Sequence, residues 1–217
     1  MLYVSDPMRM TPRLASGLFV LSLSAGAIAN GRPEVYIHAG FYARLGAGPG
    51  YVFGASEPDR SGASASVSGF ALSSEFAFGG TLAAGLVLGG GSFSMVVPSP
   101  KYAADAGPDL DVGTHHVSGV GPFVDYYFDQ RNGAHVQAAL LLSGVFVQEK
   151  GALESASGFG FGAMLGGGYE AWVSHEWSIG PILRVTVYND ALEGSDSGAK
   201  ATLRMFVPSL LFGATYH

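Results

Sequence analysis

Hydrophobic residues alternate with small or polar residues along much of the chain, most clearly over residues 158–173. In this window the odd positions are mostly aromatic or aliphatic, whereas five even positions are glycine and another is Glu170. A period of two residues is typical of a β-strand with one apolar and one polar face. Residues 177–188 repeat the pattern after Ser174-His175-Glu176, so a tight hairpin is predicted here.

The same alternation predicts eight strands. Their predicted ranges are 35–53, 67–78, 86–97, 115–128, 134–148, 158–173, 177–188 and 200–216. Long connections at 54–66, 98–114 and 189–199 alternate with shorter ones. This arrangement predicts an all-β fold, an eight-stranded antiparallel up-and-down transmembrane β-barrel with short periplasmic turns and longer external loops.

Glycine and proline positions affect the strand prediction in one uncharged segment and at four sites within strands. Residues 76–100 carry no charge, but their six glycines disfavour a helix, and residues 79–85 are predicted to form a turn between two strands. Proline cannot donate a hydrogen bond to a sheet. Bulges or strand ends are therefore predicted at the four prolines within strands, which are Pro49, Pro122, Pro181 and Pro208.

Composition narrows the class of protein. Glycine makes up 33 of 217 residues, charged residues are 13% and hydrophobic residues 48%. Such a chain is too apolar for a disordered protein. The net charge of −6 argues against a nucleic-acid partner. Cysteine is absent from the sequence, which excludes disulfides and thiol chemistry, and no cofactor is predicted.

The first residues have the layout of a secretory signal. Arg9 and Arg13 precede an uncharged stretch from Leu14 that ends in small residues at Ala29. A positive start, an apolar centre and small residues two apart predict a cleaved signal peptide over 1–29, with an uncleaved membrane anchor as the alternative. Residues 30–217 then form a single outer-membrane β-barrel domain.

The last strand carries a family resemblance. Its sequence FVPSLLFGATYH places Leu210, Phe212 and Tyr216 on one face, and His217 follows the last aromatic residue. It resembles the assembly signal of the small eight-stranded outer-membrane β-barrel proteins, the OmpA/OmpW-type barrels of the porin-like superfamily. The resemblance implies a monomer in the outer membrane of a Gram-negative bacterium. It also implies contact with lipid and lipopolysaccharide, and insertion by the barrel-assembly machinery.

Strand parity predicts which charges face the lumen. If the apolar stripe of 158–173 meets lipid, Glu170 points inward. The inward set comprises Arg44, Glu75, Asp125, Glu170 and Arg184, with His135 and Gln137 beside them. Buried charges must be paired. We therefore predict a luminal network near the periplasmic end, in a filled interior, because eight strands enclose too little room for an open porin.

Aromatic residues are predicted to form two belts on the outer wall. Near the short turns the candidates are Tyr126, Tyr127, Phe128, Tyr169, Trp172 and Trp177. Nearer the long loops they are Phe93, Tyr102 and Phe146.

The predicted external loops are acidic. They contain Asp105, Asp109 and Asp111, which are weak candidates for binding Ca²⁺ or Mg²⁺ that would bridge to lipopolysaccharide phosphates. The alternative to cation binding is that these charges only keep the loops solvated. The acidic loops could also bind an extracellular ligand.

His116 and Ser118 offer the only catalytic hypothesis. They share the predicted lipid-facing side near the external rim and resemble the His and Ser of the outer-membrane lipid A deacylases. Gly119 stands where that family has Asn, and Glu149 is the only nearby carboxylate. A triad is defined by geometry and not by spacing, so histidine bonded to loop or headgroup is the alternative.

The sequence therefore favours a non-enzymatic integral outer-membrane barrel with a structural, envelope-interaction or small apolar ligand role. One alternative is a lipid A-modifying hydrolase that uses His116 and Ser118. Another is a soluble secreted lipocalin-like barrel, which would require an apolar interior.

Overall fold

The computed structural model of the 217-residue chain describes residues 37–59, 64–104, 110–111, 113–148, 155–195 and 198–217. The predicted signal peptide over 1–29 lies outside these residues. In the described part of the chain, no helix is long and apolar enough to cross a bilayer.

The described residues form ten strands. Their bounds are β1 Phe41–Pro58, β2 Ala65–Ala83, β3 Leu86–Val97, β4 Lys101–Ala104, β5 Leu110–Asp111, β6 His115–Asp129, β7 Asn132–Val147, β8 Ala156–Trp172, β9 Trp177–Gly194 and β10 Lys200–Tyr216. Eight are long, whereas β4 and β5 are short and lie within the predicted long connection at 98–114.

The eight long strands close into a barrel. Each pairs antiparallel with its sequence neighbours, with β3 pairing to β6. Because β1 pairs with both β2 and β10, the ring is complete, and β4 extends one side of β2. The predicted all-β up-and-down fold is confirmed. We call the rim with the three short turns and both barrel termini the turn end, and the opposite rim the loop end.

Several strand bounds differ from the prediction. β3 and β10 have the predicted bounds, but β1 begins at Phe41 instead of residue 35 and runs on to Pro58, and β9 runs on to Gly194. The predicted turn at 79–85 is wrong, because β2 continues through Gly79 and Gly80 and turns only after Ala83. Gly85 has a positive φ of 72°, which glycine adopts without strain, so the chain reverses in two residues.

The four prolines lie inside continuous strands, which corrects the prediction of bulges or strand ends. Pro49 is paired with Leu72 of β2, whereas the ladder to β10 is interrupted between Ala47 and Gly50 without a change of register. A residue in an antiparallel strand directs its hydrogen-bonding groups to one neighbour only. Proline therefore interrupts one ladder and leaves the other intact, and Pro122, Pro181 and Pro208 follow the same rule.

The middle of the outer wall is apolar. Large hydrophobic side chains project outward from every long strand, including Phe76, Leu88, Leu140, Leu165 and Leu183. On β8 the opposite face is interior, as parity predicts, because Met164 and Glu170 are buried.

Towards the loop end this arrangement inverts. The outer wall there carries polar groups, among them the exposed ion pair Arg204–Glu57. The interior is apolar and includes Val52, Val67, Met95, Val97, Val117, Val145, Val147, Leu192, Leu203, Met205 and Val207. The polar interior expected from the sequence therefore applies only to the turn-end half. The inversion also explains why apolar-outward alternation missed the ends of β1 and β9.

The outer aromatic belt at the turn end differs in two members from the prediction. Tyr126, Phe128, Tyr169 and Trp177 are exposed on the wall. Tyr127 is buried and Trp172 is half-buried beside it in the interior. At the loop end Phe146 is exposed, whereas Phe93 and Tyr102 are buried.

Candidate functional site in the barrel interior

Arg44 is the centre of the turn-end interior. Its Nη2 lies 2.8 Å from Asp125 Oδ2 and 2.9 Å from Glu170 Oε1, and all three side chains are fully buried. These residues come from β1, β6 and β8, so one guanidinium ties together strands from opposite sides of the barrel. Charges this deeply buried are stable only when they are paired and hydrogen-bonded.

Neutral acceptors complete the coordination of Arg44. Nε donates to Thr215 Oγ1 at 3.0 Å, and Nη1 donates to Gln137 Oε1 at 2.9 Å. Nη2 also donates to the Tyr127 hydroxyl at 3.0 Å, and the guanidinium lies over the Tyr42 ring at 5.2 Å. Each branch of the guanidinium is therefore held, and the side chain cannot swing aside to open the lumen without losing several hydrogen bonds.

Polar side chains also hold both carboxylates. Asp125 accepts from the Tyr42 hydroxyl at 2.9 Å and lies 2.8 Å from His135 Nδ1. Glu170 Oε2 accepts from the Ser178 hydroxyl at 2.8 Å and from that of Tyr127 at 3.0 Å. The resulting network fills the section of the lumen nearest the turn end.

His38 covers this network from outside the strands. Its backbone N–H donates to Gln130 O at 2.8 Å, and its ring stacks on Tyr127 and Trp172 at 4.0 and 4.5 Å. His38 Nδ1 lies 2.9 Å from His217 Nε2. Burial lowers the pKa of His38 to about 3, and the His217 ring acts in the same direction, so His38 is neutral near pH 7.

A second ion pair lies farther from the turn end. Arg184 Nη1 lies 3.0 Å from Glu75 Oε2, and both side chains are buried. The Arg184 guanidinium also lies 5.9 Å from the centroid of the Phe93 ring. Beyond this pair the interior becomes mainly apolar. Two buried polar pairs are exceptions: the Ser143 hydroxyl donates to Asp190, and the Tyr102 hydroxyl lies 3.2 Å from His115 Nε2.

The structure divides the five predicted luminal charges into two groups. Arg44, Asp125 and Glu170 meet in the turn-end cluster, where His135 and Gln137 contact them. Glu75 instead pairs with Arg184, farther from the turn end than the prediction placed it.

The turn-end cluster also contains residues outside the predicted luminal set, among them His38, Tyr42, Tyr127, Ser178, Thr215 and His217. Thr215 and His217 alternate with the outward Phe212 and Tyr216, so parity could have placed them inside. His38 precedes the first strand, where alternation gives no signal.

His116 and Ser118 lie on the outer wall, as parity predicts. They border a shallow groove of about 520 Å³ with Ser94, Phe146 and Phe159. The Ser118 hydroxyl lies 2.9 Å from the Ser94 hydroxyl, and no carboxylate is among the described residues that line the groove. Glu149, the predicted acid, lies outside the described residues, and the described geometry is that of two hydrogen-bonded wall serines.

The loop candidates for a divalent cation are outside the reach of the structure. Asp105 and Asp109 lie outside the described residues, and for Asp111 only the backbone of β5 is described.

Comparisons with known proteins give a match at the level of structure. The outer membrane protein OprG from Pseudomonas aeruginosa superposes with a TM-score of 0.53 at 13% identity, covering 85% of this chain and 100% of that one. The chain has an outer-membrane β-barrel fold. The outer membrane protein AlkL gives a TM-score of 0.53 at 16% identity, covering 88% of this chain and 95% of that one. No protein-family model and no curated protein matches the sequence. At these identities the likeness concerns the fold alone.

Proposed function

We propose that the chain is a non-enzymatic integral outer-membrane protein with a closed lumen, which acts through its outer wall and its loop-end rim. The observation that carries this proposal is the distribution of polarity. The middle of the wall exposes large hydrophobic side chains all round, while charged residues lie inside. In water such a wall would aggregate. In a bilayer it would contact acyl chains, and barrel closure satisfies the backbone hydrogen bonds.

The occupied lumen supports a structural or interaction role over that of an open porin. At the turn end the interior contains the Arg44 cluster, and towards the loop end it contains buried apolar side chains. An eight-stranded barrel has room for little besides its own side chains. Surfaces available to partners are therefore the lipid-facing wall and the loop-end rim with its exposed pair Lys200–Glu193.

Two measurements on the full chain test this proposal. Expressed in a Gram-negative host, the protein should fractionate with the outer membrane and migrate differently on gels before and after heating. Reconstituted in planar bilayers, it should give no stable conductance. Recovery in the soluble periplasmic fraction would contradict the membrane assignment, and steady ion conductance would contradict the closed lumen.

A second candidate function is binding of one small apolar ligand inside the loop-end half. It is favoured by the apolar interior there, which includes Met95, Met164 and Met205. Methionine is flexible and repacks around apolar guests more easily than branched residues do. Saturable quenching of a fluorescent apolar probe by the wild type, weakened by Met205→Phe, would support this function. Partition of the probe into detergent alone, with no saturation, would contradict it.

The two alternative classes have weaker support. A soluble lipocalin-like barrel needs a polar exterior, which this barrel has only near the loop end. A lipid A hydrolase needs a general base beside its nucleophile, whereas Ser118 lies beside Ser94. Mass spectrometry of lipid A after expression should show unchanged acylation, and loss of an acyl chain that depends on Ser118 would overturn the non-enzymatic assignment.

A further inference from the structure

Three metal-binding side chains converge at the turn end from distant parts of the chain. His38 precedes β1, Glu170 is near the end of β8, and His217 follows β10. One donor atom from each residue lies within 4.8 Å of the other two. His38 Nδ1 is 2.9 Å from His217 Nε2, which is in turn 3.7 Å from Glu170 Oε2.

The electrostatics of the surrounding cluster favour a cation. One guanidinium, that of Arg44, contacts two buried carboxylates, those of Asp125 and Glu170. With neutral imidazoles the cluster carries one excess negative charge in a place where water cannot solvate it. A buried charge without compensation is costly. A proton on one histidine would neutralise this charge, and a divalent metal ion would change the net charge of the cluster from −1 to +1, so either cation is attracted to it.

Unused ring nitrogens give a second indication. Within the described part of the chain, His38 Nε2 and His135 Nε2 are buried and have no hydrogen-bond partner. His135 Nε2 lies 4.0 Å from Glu170 Oε1 and so faces the same carboxylate. Buried polar atoms are normally hydrogen-bonded in native proteins, so two ring nitrogens without a partner in one cluster require an explanation.

We propose that His38, Glu170 and His217 form a binding site for a divalent transition-metal ion such as Zn²⁺ at the turn end of the barrel.

The donor set and its support fit this ion. Two imidazole nitrogens and one carboxylate oxygen are typical zinc ligands, and tetrahedral bonds of about 2.0 Å would place neighbouring donors about 3.3 Å apart. The present donors bracket that spacing, so the ion would replace the His38–His217 hydrogen bond with small movements. Arg44 and Thr215 hold Glu170 Oε1, which leaves Oε2 directed towards His217. Such outer contacts orient a ligand and tune its affinity.

The site would also have a structural effect. It would join the segment before β1 to the residue after β10 and to β8, and so fasten the covering of the turn end by His38. Thermal unfolding of the barrel in detergent should therefore shift to higher temperature when Zn²⁺ is added, because an ion that binds only the folded state stabilises it.

The test uses the full refolded chain in detergent, first stripped with a chelator and then titrated with Zn²⁺ by calorimetry. The wild type should bind one ion. His38→Ala and His217→Ala should each weaken binding by about 100-fold. Ser178→Ala should weaken it by about 10-fold, because the Ser178 hydroxyl contacts the ligands Glu170 and His217 at 2.8 and 2.9 Å without itself being a ligand. His116→Ala removes an exposed wall histidine as the matched control and should bind as the wild type does.

Co²⁺ substitution gives a readout that needs no variant. Co²⁺ bound by these residues in four coordination should show intense visible absorption that Zn²⁺ abolishes. The proposal is overturned if the wild type binds no Zn²⁺ at millimolar concentration, or if Co²⁺ gives only the weak spectrum of six-coordinate surface binding. Unchanged affinity in both histidine variants, with folding checked by heat-modifiable migration, would also overturn it.

Discussion

Arg44 Nη2 lies 2.8 Å from Asp125 Oδ2 in an interior where neither side chain reaches solvent. The pair joins the first strand of the barrel to β6 on the far side of the lumen. It forms only when the barrel has closed, so it reports on the finished fold and not on any one hairpin.

Removing this guanidinium should destabilise the barrel severely. Arg44→Ala leaves the carboxylates of Asp125 and Glu170 buried without a cation, and loss of one partner of a buried pair costs about 3–5 kcal/mol. The free energy of unfolding would be measured by urea titration of the protein in lipid vesicles. The matched control is Arg204→Ala, which breaks an exposed pair with Glu57 and should cost less than about 1 kcal/mol. Equal losses in both variants would contradict the assignment of Arg44 as the buried centre.

The pair farther from the turn end should behave as a coupled unit. Arg184→Met and Glu75→Gln each leave the other member buried and unpaired, whereas the double variant removes both charges. We expect the double variant to be more stable than the sum of the single losses implies, by about 0.5–3 kcal/mol. Additive losses in the double-mutant cycle would mean that the two side chains do not interact in the folded barrel.

A charge on the apolar wall should oppose membrane insertion. Leu140 is 70% exposed on the outer face of β7, and an arginine near the bilayer midplane of a barrel costs about 2–4 kcal/mol. Leu140→Arg should therefore reduce folding yield into vesicles. Asn189→Arg, on the polar outer face towards the loop end, should insert as the wild type does. If both variants insert equally well, the apolar wall does not contact lipid.

Because the strands approach closely at Gly121, an added methyl group should destabilise the barrel there, whereas the same change at the nearby Gly90 should be tolerated. A Cβ at Gly121 would overlap the carbonyl oxygen of Leu140, whereas the nearest atom to a Cβ at Gly90 is 3.9 Å away. Gly121→Ala should destabilise the barrel by about 1–3 kcal/mol through overpacking, and Gly90→Ala should change its stability little. Urea midpoints of the two variants provide the measurement, and a stable Gly121→Ala barrel would show that β6 and β7 can separate there.

Much of this architecture could be determined from the sequence because alternation is a local property. Over residues 158–173, glycines alternate with aromatic and aliphatic residues, so the two faces of this strand can be identified from the sequence. Their alternation predicted the inward position of Glu170. The antiparallel order of the strands followed from connections that are short at one rim and longer at the other. Local rules also correctly placed His116 and Ser118 on the outer wall.

Only the tertiary structure decided which side chains meet. Parity places Glu75 and Arg44 inside but cannot say that Glu75 contacts Arg184, because that depends on strand tilt and register around the closed ring. Strand parity also could not show that His38 covers the turn end and contacts His217, because no periodic pattern extends to a residue before the first strand. The inversion at the loop end was hidden for a related reason. Alternation shows that two faces differ, but the surroundings of each half of the barrel determine whether its polar face is turned inward or outward.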